Sequence, residues 1–283
     1  MAVMSTRRRV VRLAFDGGGL TDRDARGDDL SAEAPLNLVI DEEVIATLMR
    51  TPGHDLELAA GWLAVESGVR RSSDLLQLRQ CRTGDDLVAR SEDEGGRGVD
   101  QVHLTLAEGV TAPQPRAWVT GTSCGVCSAD VLDLAPLQWA APSRAGWQVR
   151  PEVLLGLPDR VREQQKTFQR TGSLHAAALA TPAGDLLVVR EDVGRHNAVD
   201  KVHGWAVLGD RLPATDLLLV VSGRVSFEIV QKAVAASVAG IVAVSAPSDL
   251  AVDLAREHGL LLAGMVRPGR LNLYAGEDSV TGL

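Results

Sequence analysis

Hydrophobic positions in the second half of the chain come as short unbroken runs separated by helical patterns. Residues 174–180 and 186–189 are two such runs. Pro182, Ala183 and Gly184 lie between them, which predicts a hairpin. Ala198, Val202, Trp205 and Leu208 then share one helical face. Runs at 217–221, 241–244 and 260–266 predict strands, and the stretches 225–238 and 250–258 predict helices between them. Strands without polar alternation are buried on both sides. The expected fold is therefore α/β, a mixed and partly parallel sheet with flanking helices and right-handed crossovers.

The first half is less regular. Residues 36–40 and 44–48 predict a short hairpin around Asp41-Glu42-Glu43. Leu56, Ala59, Ala60 and Leu63 fall at i, i+3, i+4 and i+7, with Asp55 as the expected N-cap and Gly68 just past the end. Residues 91–98 read as a loop between strands at 86–90 and 102–106. Gly and Asp crowd residues 16–34, which predicts an irregular, mobile lead-in over 1–34. The expected organisation is that lead-in, a smaller α+β subdomain over 35–115, and the α/β domain over 116–283.

The 283 residues carry 29 Lys+Arg against 37 Asp+Glu, a net charge of −8, with 45% hydrophobic and 23% charged residues. That balance gives a proper core and excludes disordered and collagenous classes. An acidic chain with 3% aromatics offers neither a phosphate-neutralising face nor a base-stacking platform, so a nucleic-acid partner is not expected. Any anionic ligand must be held by a few placed arginines. The apolar stretch behind Arg7-Arg8-Arg9 ends at Phe15, too short for a signal segment. No run reaches the ~18 apolar residues of a membrane helix. With only 3 cysteines and no disulfide framework, the expected setting is the cytoplasm.

Two of those cysteines stand in Gly121-Thr122-Ser123-Cys124-Gly125-Val126-Cys127-Ser128. Such a pair can ligate a metal, exchange disulfides or carry sulfur. A free thiol has a pKa near ~8.5, so reactivity at neutral pH needs the backbone N–H groups and hydroxyls that this loop supplies. Zinc deaminases pair H-x-E with P-C-x-x-C. Here Ala177 holds the Glu position after His175, Ser123 replaces the proline, and the cysteines precede the histidine, so deaminase chemistry is not expected and no metal is assigned. Thioredoxin-like exchange needs a helix straight after the pair, and Pro136 and Pro142 limit any helix there.

Polar groups also collect at predicted strand ends. Arg190-Glu191-Asp192-Val193-Gly194-Arg195-His196-Asn197, leading to Asp200 and Lys201, reads as a binding or catalytic patch at a strand-to-helix junction. Ser222-Gly223-Arg224 and Ser245-Ala246-Pro247-Ser248 each follow a buried strand and open a helix, where free N–H groups hold anions. Met265-Val266-Arg267-Pro268-Gly269-Arg270 closes the series, with two arginines placed around a turn to grip a diphosphate.

Taken together, these segments resemble one family, the formate dehydrogenase accessory sulfurtransferases (FdhD/NarQ). The likeness is collinear from about Ala34 to Gly276. It runs through Met49-Arg50-Thr51-Pro52, the Cys124–Cys127 loop, Thr171-Gly172-Ser173-Leu174-His175-Ala176-Ala177, the 190–201 cluster and the three later turns. Ser128 stands where the family's loop has a second glycine. The resemblance implies a sulfur carrier of cytidine-deaminase-like fold, typically a homodimer. A cysteine desulfurase loads its loop cysteine with a sulfane sulfur, which passes to the molybdenum cofactor in its bis-guanine-dinucleotide form before insertion into formate dehydrogenase. Carried over by position, Cys124 takes the persulfide, with Cys127 beside it. Met265, Val266, Arg267, Pro268, Gly269 and Arg270 bind the cofactor, and the strand end at Ser222, Gly223 and Arg224 is assigned to the same ligand. A non-catalytic chaperone for the same cofactor is the alternative.

Overall fold

The computed structural model describes residues 4–81, 99–115, 119–120 and 146–283. Cys124, Cys127, Ser128 and the strand and loop expected at 86–98 lie outside them. β1 (Ser5–Asp16) and β2 (Gly19–Ser31) form an exposed antiparallel ribbon closed by Gly17-Gly18. This corrects the irregular lead-in expected there. Arg7, Arg8 and Arg12 stand opposite Asp29, Asp28 and Asp24 across the strands, and opposite charges in register support pairing that composition alone conceals.

β3 (Ala34–Ile40) and β4 (Glu43–Arg50) make the predicted hairpin, with Asp41 and Glu42 both at positive φ as a tight turn requires. α1 (Asp55–Glu66) comes next, but its N-cap is His54, at φ 57°. Asp55 is already helical, and its buried carboxylate meets Arg50 Nε at 3.1 Å. Arg50, fully buried, also reaches Asp100 at 2.6 Å and the Ala34 carbonyl at 3.1 Å. β5 (Leu75–Cys81), β6 (Asp100–Leu106) and β7 (Val119–Thr120) complete a sheet ordered β5-β6-β3-β4-β7. β7 pairs with β4, so the smaller unit's sheet extends past the boundary expected at 116.

α2 (Pro151–Gln164) and α3 (Lys166–Thr171) lead to the antiparallel pair β8 (His175–Ala180) and β9 (Leu186–Asp192). Then come α4 (Arg195–Leu208), β10 (Leu218–Val221), α5 (Phe227–Ala235), β11 (Gly240–Ala243), α6 (Asp249–Glu257), β12 (Leu261–Arg267) and β13 (Arg270–Ala275). The sheet order is β13-β12-β11-β10-β8-β9, with β10, β11 and β12 parallel and the pairings β12–β13, β10–β8 and β8–β9 antiparallel. This is the mixed sheet that the apolar runs predicted. Alternation divides its faces. Ala177, Leu179, Leu219 and Ile241 pack toward α4, α5 and α6, while Ala178, Leu218, Val220 and Val242 pack against Leu154 and Leu157 of α2. Among the described residues, no helix is long and apolar enough to cross a membrane.

α4 is buried on nearly every side because it lies between the large sheet and α1. The two helices touch at glycines. A Cβ on Gly61 would overlap the Asp200 carbonyl, and one on Gly204 would overlap the Glu57 carbonyl. Gly204→Ala should therefore force the helices apart and cost about 1–3 kcal/mol, read as a lower urea midpoint.

His203 of α4 is 1% exposed, and both ring nitrogens lack hydrogen-bond partners among the described residues. Burial, with the Lys232 charge nearby, pushes its pKa down to about 3. An unfolded histidine protonates near its ordinary 6.5, so below that pH the unfolded chain binds a proton that the folded one refuses. Stability should fall as pH drops from 6.5 toward 3, by up to about 1.4 kcal/mol per unit. His203→Leu should flatten this part of the pH–stability curve. An unchanged slope would place the proton uptake elsewhere.

Candidate functional site

The C-terminal ends of β10, β11 and β12 open onto a cavity of about 530 Å³, whose far wall is α2. Leu155, Pro158, Val161, Phe168, Val220 and Val266 give it an apolar lining. Asp159, Arg162, Gln165, Ser173, His175, Ser222 and Arg267 supply polar groups. An apolar hollow with a few convergent polar groups, at the ends of parallel strands, is the usual form of a small-ligand site.

A bulge brings Arg267 to this cavity. The register between β12 and β13 shifts between Gly264 and Arg267, and Met265 sits at φ 54° in the left-handed region that few side chains adopt. Strand alternation breaks there, and the adjacent Val266 and Arg267 both line the cavity. The Arg267 guanidinium is held by the Val244 and Val266 carbonyls. Pro268 lines the cavity too, and Pro268-Gly269 forms a two-residue hairpin turn with Arg267 paired to Arg270. Sequence reasoning reads only a turn here. β13 goes unnoticed because its alternating R-L-N-L-Y-A comes after a Pro-Gly break. Met265, Gly269 and Arg270 are not among the lining residues.

Ser222 stands at the end of β10, donating to or accepting from His175 Nδ1 at 3.4 Å and accepting from Ala176 N at 2.9 Å. A Cβ on Gly223 would lie 3.3 Å from His175 Nδ1 and 3.4 Å from Arg195 Cδ, so glycine lets both side chains close over the strand end. Burial first, and then the Arg195 charge, hold the His175 pKa below its ordinary value, so its ring is neutral at pH 7. Arg224 is exposed, and α5 starts only at Phe227, so Ser222-Gly223-Arg224 does not itself form a helix N-terminus. Ser248 is the true cap of α6, accepting from Ala251 N at 3.4 Å.

The 190–201 cluster, expected as a binding patch, is mostly internal structure. Arg190 pairs with Glu57 of α1. Glu191 accepts from Thr167 N at 3.0 Å and Phe168 N at 2.7 Å, capping α3. Asp192, fully buried, meets Lys201 Nζ at 2.7 Å, Asn197 Nδ2 at 3.0 Å and Thr51 N at 3.1 Å. Polar residues in a strand-to-helix turn look alike in sequence whether solvated or locked inside. His196 is held by Glu228 at 2.7 Å and Ser226 at 3.3 Å. Arg195 keeps a buried Nε without a partner among the described residues, beside the strand end. Sequence reasoning misses the α2 wall altogether, although Pro151 and the spacing of Leu154, Leu157 and Val161 signal a helix.

Residues 31–281 match the sequence model of the FdhD/NarQ family. The chain belongs to that family. A protein named sulfur carrier protein FdhD from Streptomyces coelicolor is 44% identical over 285 residues, covering 99% of this chain and 97% of its own. One of the same name from Sulfolobus acidocaldarius is 36% identical over 253 residues, covering 89% and 91%. A crystal structure from Desulfotalea psychrophila, provisionally described as a formate dehydrogenase accessory protein, shares the fold. Its TM-score is 0.75 at 22% identity, over 98% of this chain and 100% of that one. The FdhD/NarQ match contains the whole cavity and begins at the last residue of β2, so the ribbon precedes it.

Proposed function

We propose that this FdhD/NarQ protein is a sulfurtransferase acting as a sulfur carrier. Cys124 takes a sulfane sulfur from a cysteine desulfurase as a persulfide and gives it to the molybdenum cofactor, in its bis-guanine-dinucleotide form, before that cofactor enters formate dehydrogenase. In the loading step the Cys124 thiolate attacks the outer sulfur of the desulfurase persulfide. A new S–S bond forms on Cys124 as the old one breaks, and the desulfurase cysteine leaves as its thiolate. Cys127 follows it three positions later in the sequence. Support comes from the family membership together with the cavity at the strand ends. Its apolar body and Arg267 suit a ligand joining flat rings through a diphosphate, the bound substrate of this reading. Within this reading the chain works in the cytoplasm as a homodimer. The large sheet is read as deaminase-like without deaminase chemistry, and Ala177 is fully buried in its core.

Titration calorimetry with GDP, a fragment of the cofactor, tests the cavity. The charge-assisted bonds of one arginine are worth ~1.5–3 kcal/mol, so Arg267→Ala should weaken GDP by at least about tenfold. Arg270→Ala should weaken it less, since Arg270 is not part of the lining. Affinity should also fall with added salt, because Arg267 is exposed to it. Unchanged affinity in Arg267→Ala would remove the diphosphate from this cavity.

A further inference from the structure

The ribbon of β1 and β2 is a two-stranded sheet that no third strand joins among the described residues. Such a ribbon is marginal in water unless something covers one face. Side chains alternate across it, and its two sides differ. Toward the Gly17-Gly18 turn, Val11, Leu13 and Phe15 share one side, with Ala25, Arg23 and Leu20 paired opposite them. The four large apolar members, Val11, Leu13, Phe15 and Leu20, are 48–68% exposed. The other side carries Arg8 opposite Asp28 and Arg12 opposite Asp24. Apolar on one side and charged on the other is the pattern of a sheet with one face covered, yet here the apolar side faces solvent. The ribbon is anchored at its base. Ser31 Oγ meets Thr171 Oγ1 at 2.8 Å and Ser173 Oγ at 2.7 Å, and Arg170 donates to Ser5 Oγ at 3.1 Å.

We propose that the apolar side of the ribbon docks on a second copy of this chain, each copy laying its ribbon on the other. This rests on the homodimeric reading of the chain and gives that dimer its contact surface. Residues 5–31 carry six Arg and five Asp, so the ribbon is nearly neutral in a chain of net charge −8. It has no field with which to recognise nucleic acid or an anionic membrane, and it does not repel the acidic body of a second copy. With 12 residues, β1 spans ~40 Å, and two strands give a face ~10 Å wide, so one side of the ribbon offers about 400 Å². A single such contact buries about 800 Å² over both partners, the size of a packing contact, whereas two bury about 1,600 Å², the size of a stable interface. Only a second copy supplies the second contact, because two-fold symmetry repeats each one. Phe168, Gly172 and Ser173 at the anchor also line the cavity, so the second copy stands beside the cavity rim.

Sedimentation equilibrium of the whole chain, with hydrogen exchange followed across the same range of concentrations, tests this. The native chain should be a dimer, and the amides of residues 10–16 should exchange faster once dilution separates the copies. Leu13→Ser combined with Phe15→Ser should weaken dimerisation by at least about a hundredfold, because two apolar anchors leave the interface. Arg12→Ser combined with Asp24→Ser removes a pair from the charged side and should leave the dimer at native strength. A Leu13→Ser, Phe15→Ser chain that dimerises as tightly as the native one, or an equal loss in both double variants, would overturn the apolar side as the docking surface. So would exchange at 10–16 that does not respond to dissociation of the native dimer, a result that needs no variant to fold. In each of these cases the homodimer itself stands. A native chain that is monomeric at every concentration would overturn the homodimer as well.

Discussion

Cys124→Ala should keep the native fold and reduce formate dehydrogenase activation, in cells lacking their own carrier, to the level without any carrier. The thiolate is the nucleophile in sulfur exchange, and no other side chain type can replace it. Cys81 cannot substitute, since it is 5% exposed at the end of β5. Cys81→Ala should accordingly leave sulfur delivery nearly intact, and Cys127→Ala should reduce it less than Cys124→Ala. Normal activation by Cys124→Ala would take the persulfide away from that residue. A severe delivery defect in Cys81→Ala with native stability would assign the sulfur to Cys81 instead.

The second large effect is on stability. Asp192 is the hub of a network joining the two sheets. Its carboxylate binds Thr51 N beyond β4, Gly194 N and Asn197 Nδ2 at the start of α4, and the Lys201 ammonium. Lys201 in turn donates to the Thr51 carbonyl at 2.8 Å. Both charged side chains are fully buried. Removing one partner strands the other's charge in the interior, so Asp192→Ala should cost about 3–5 kcal/mol. Against a typical total of about 5–15 kcal/mol, that is a large share. Asp192→Asn combined with Lys201→Met removes both charges and should cost less than the sum of the two single changes. Urea denaturation of the native chain and these variants measures each loss. A loss below about 1 kcal/mol in Asp192→Ala would mean that solvent reaches Lys201.

The large sheet is readable because its central strands are buried on both faces and leave unbroken apolar runs, as in Leu218–Val221 and Gly240–Ala243. α2 is harder to read: Leu154, Leu157 and Val161 keep helical spacing, but Pro158 sits among them, and a proline inside such a pattern reads as its end. The ribbon escapes notice because its pairing rests on arginine and aspartate in register, and composition carries no register. For the site, Arg267, Pro268 and Ser222 are legible as strand-end residues. Their partners Asp159, Arg162 and Gln165 come from a distant helix that only the folded sheet brings opposite them. The 190–201 cluster misleads for the converse reason. Its acids and amides are as polar as any ligand site, but burial turns them into the joint between subdomains.

Sulfur carriage by Cys124 separates a sulfurtransferase from a cofactor chaperone. Incubation of the chain with a cysteine desulfurase and cysteine, followed by intact-mass analysis and peptide mapping, tests it directly. The expected result is a gain of one sulfur atom per chain, mapped to Cys124, removed by a thiol reductant and missing in Cys124→Ala. The Arg267→Ala protein should load as well as the native one, because loading needs the thiol and not the cavity. A chain that binds GDP yet gains no sulfur would be a cofactor-binding chaperone, and an equal gain in Cys124→Ala would place the sulfur on another residue.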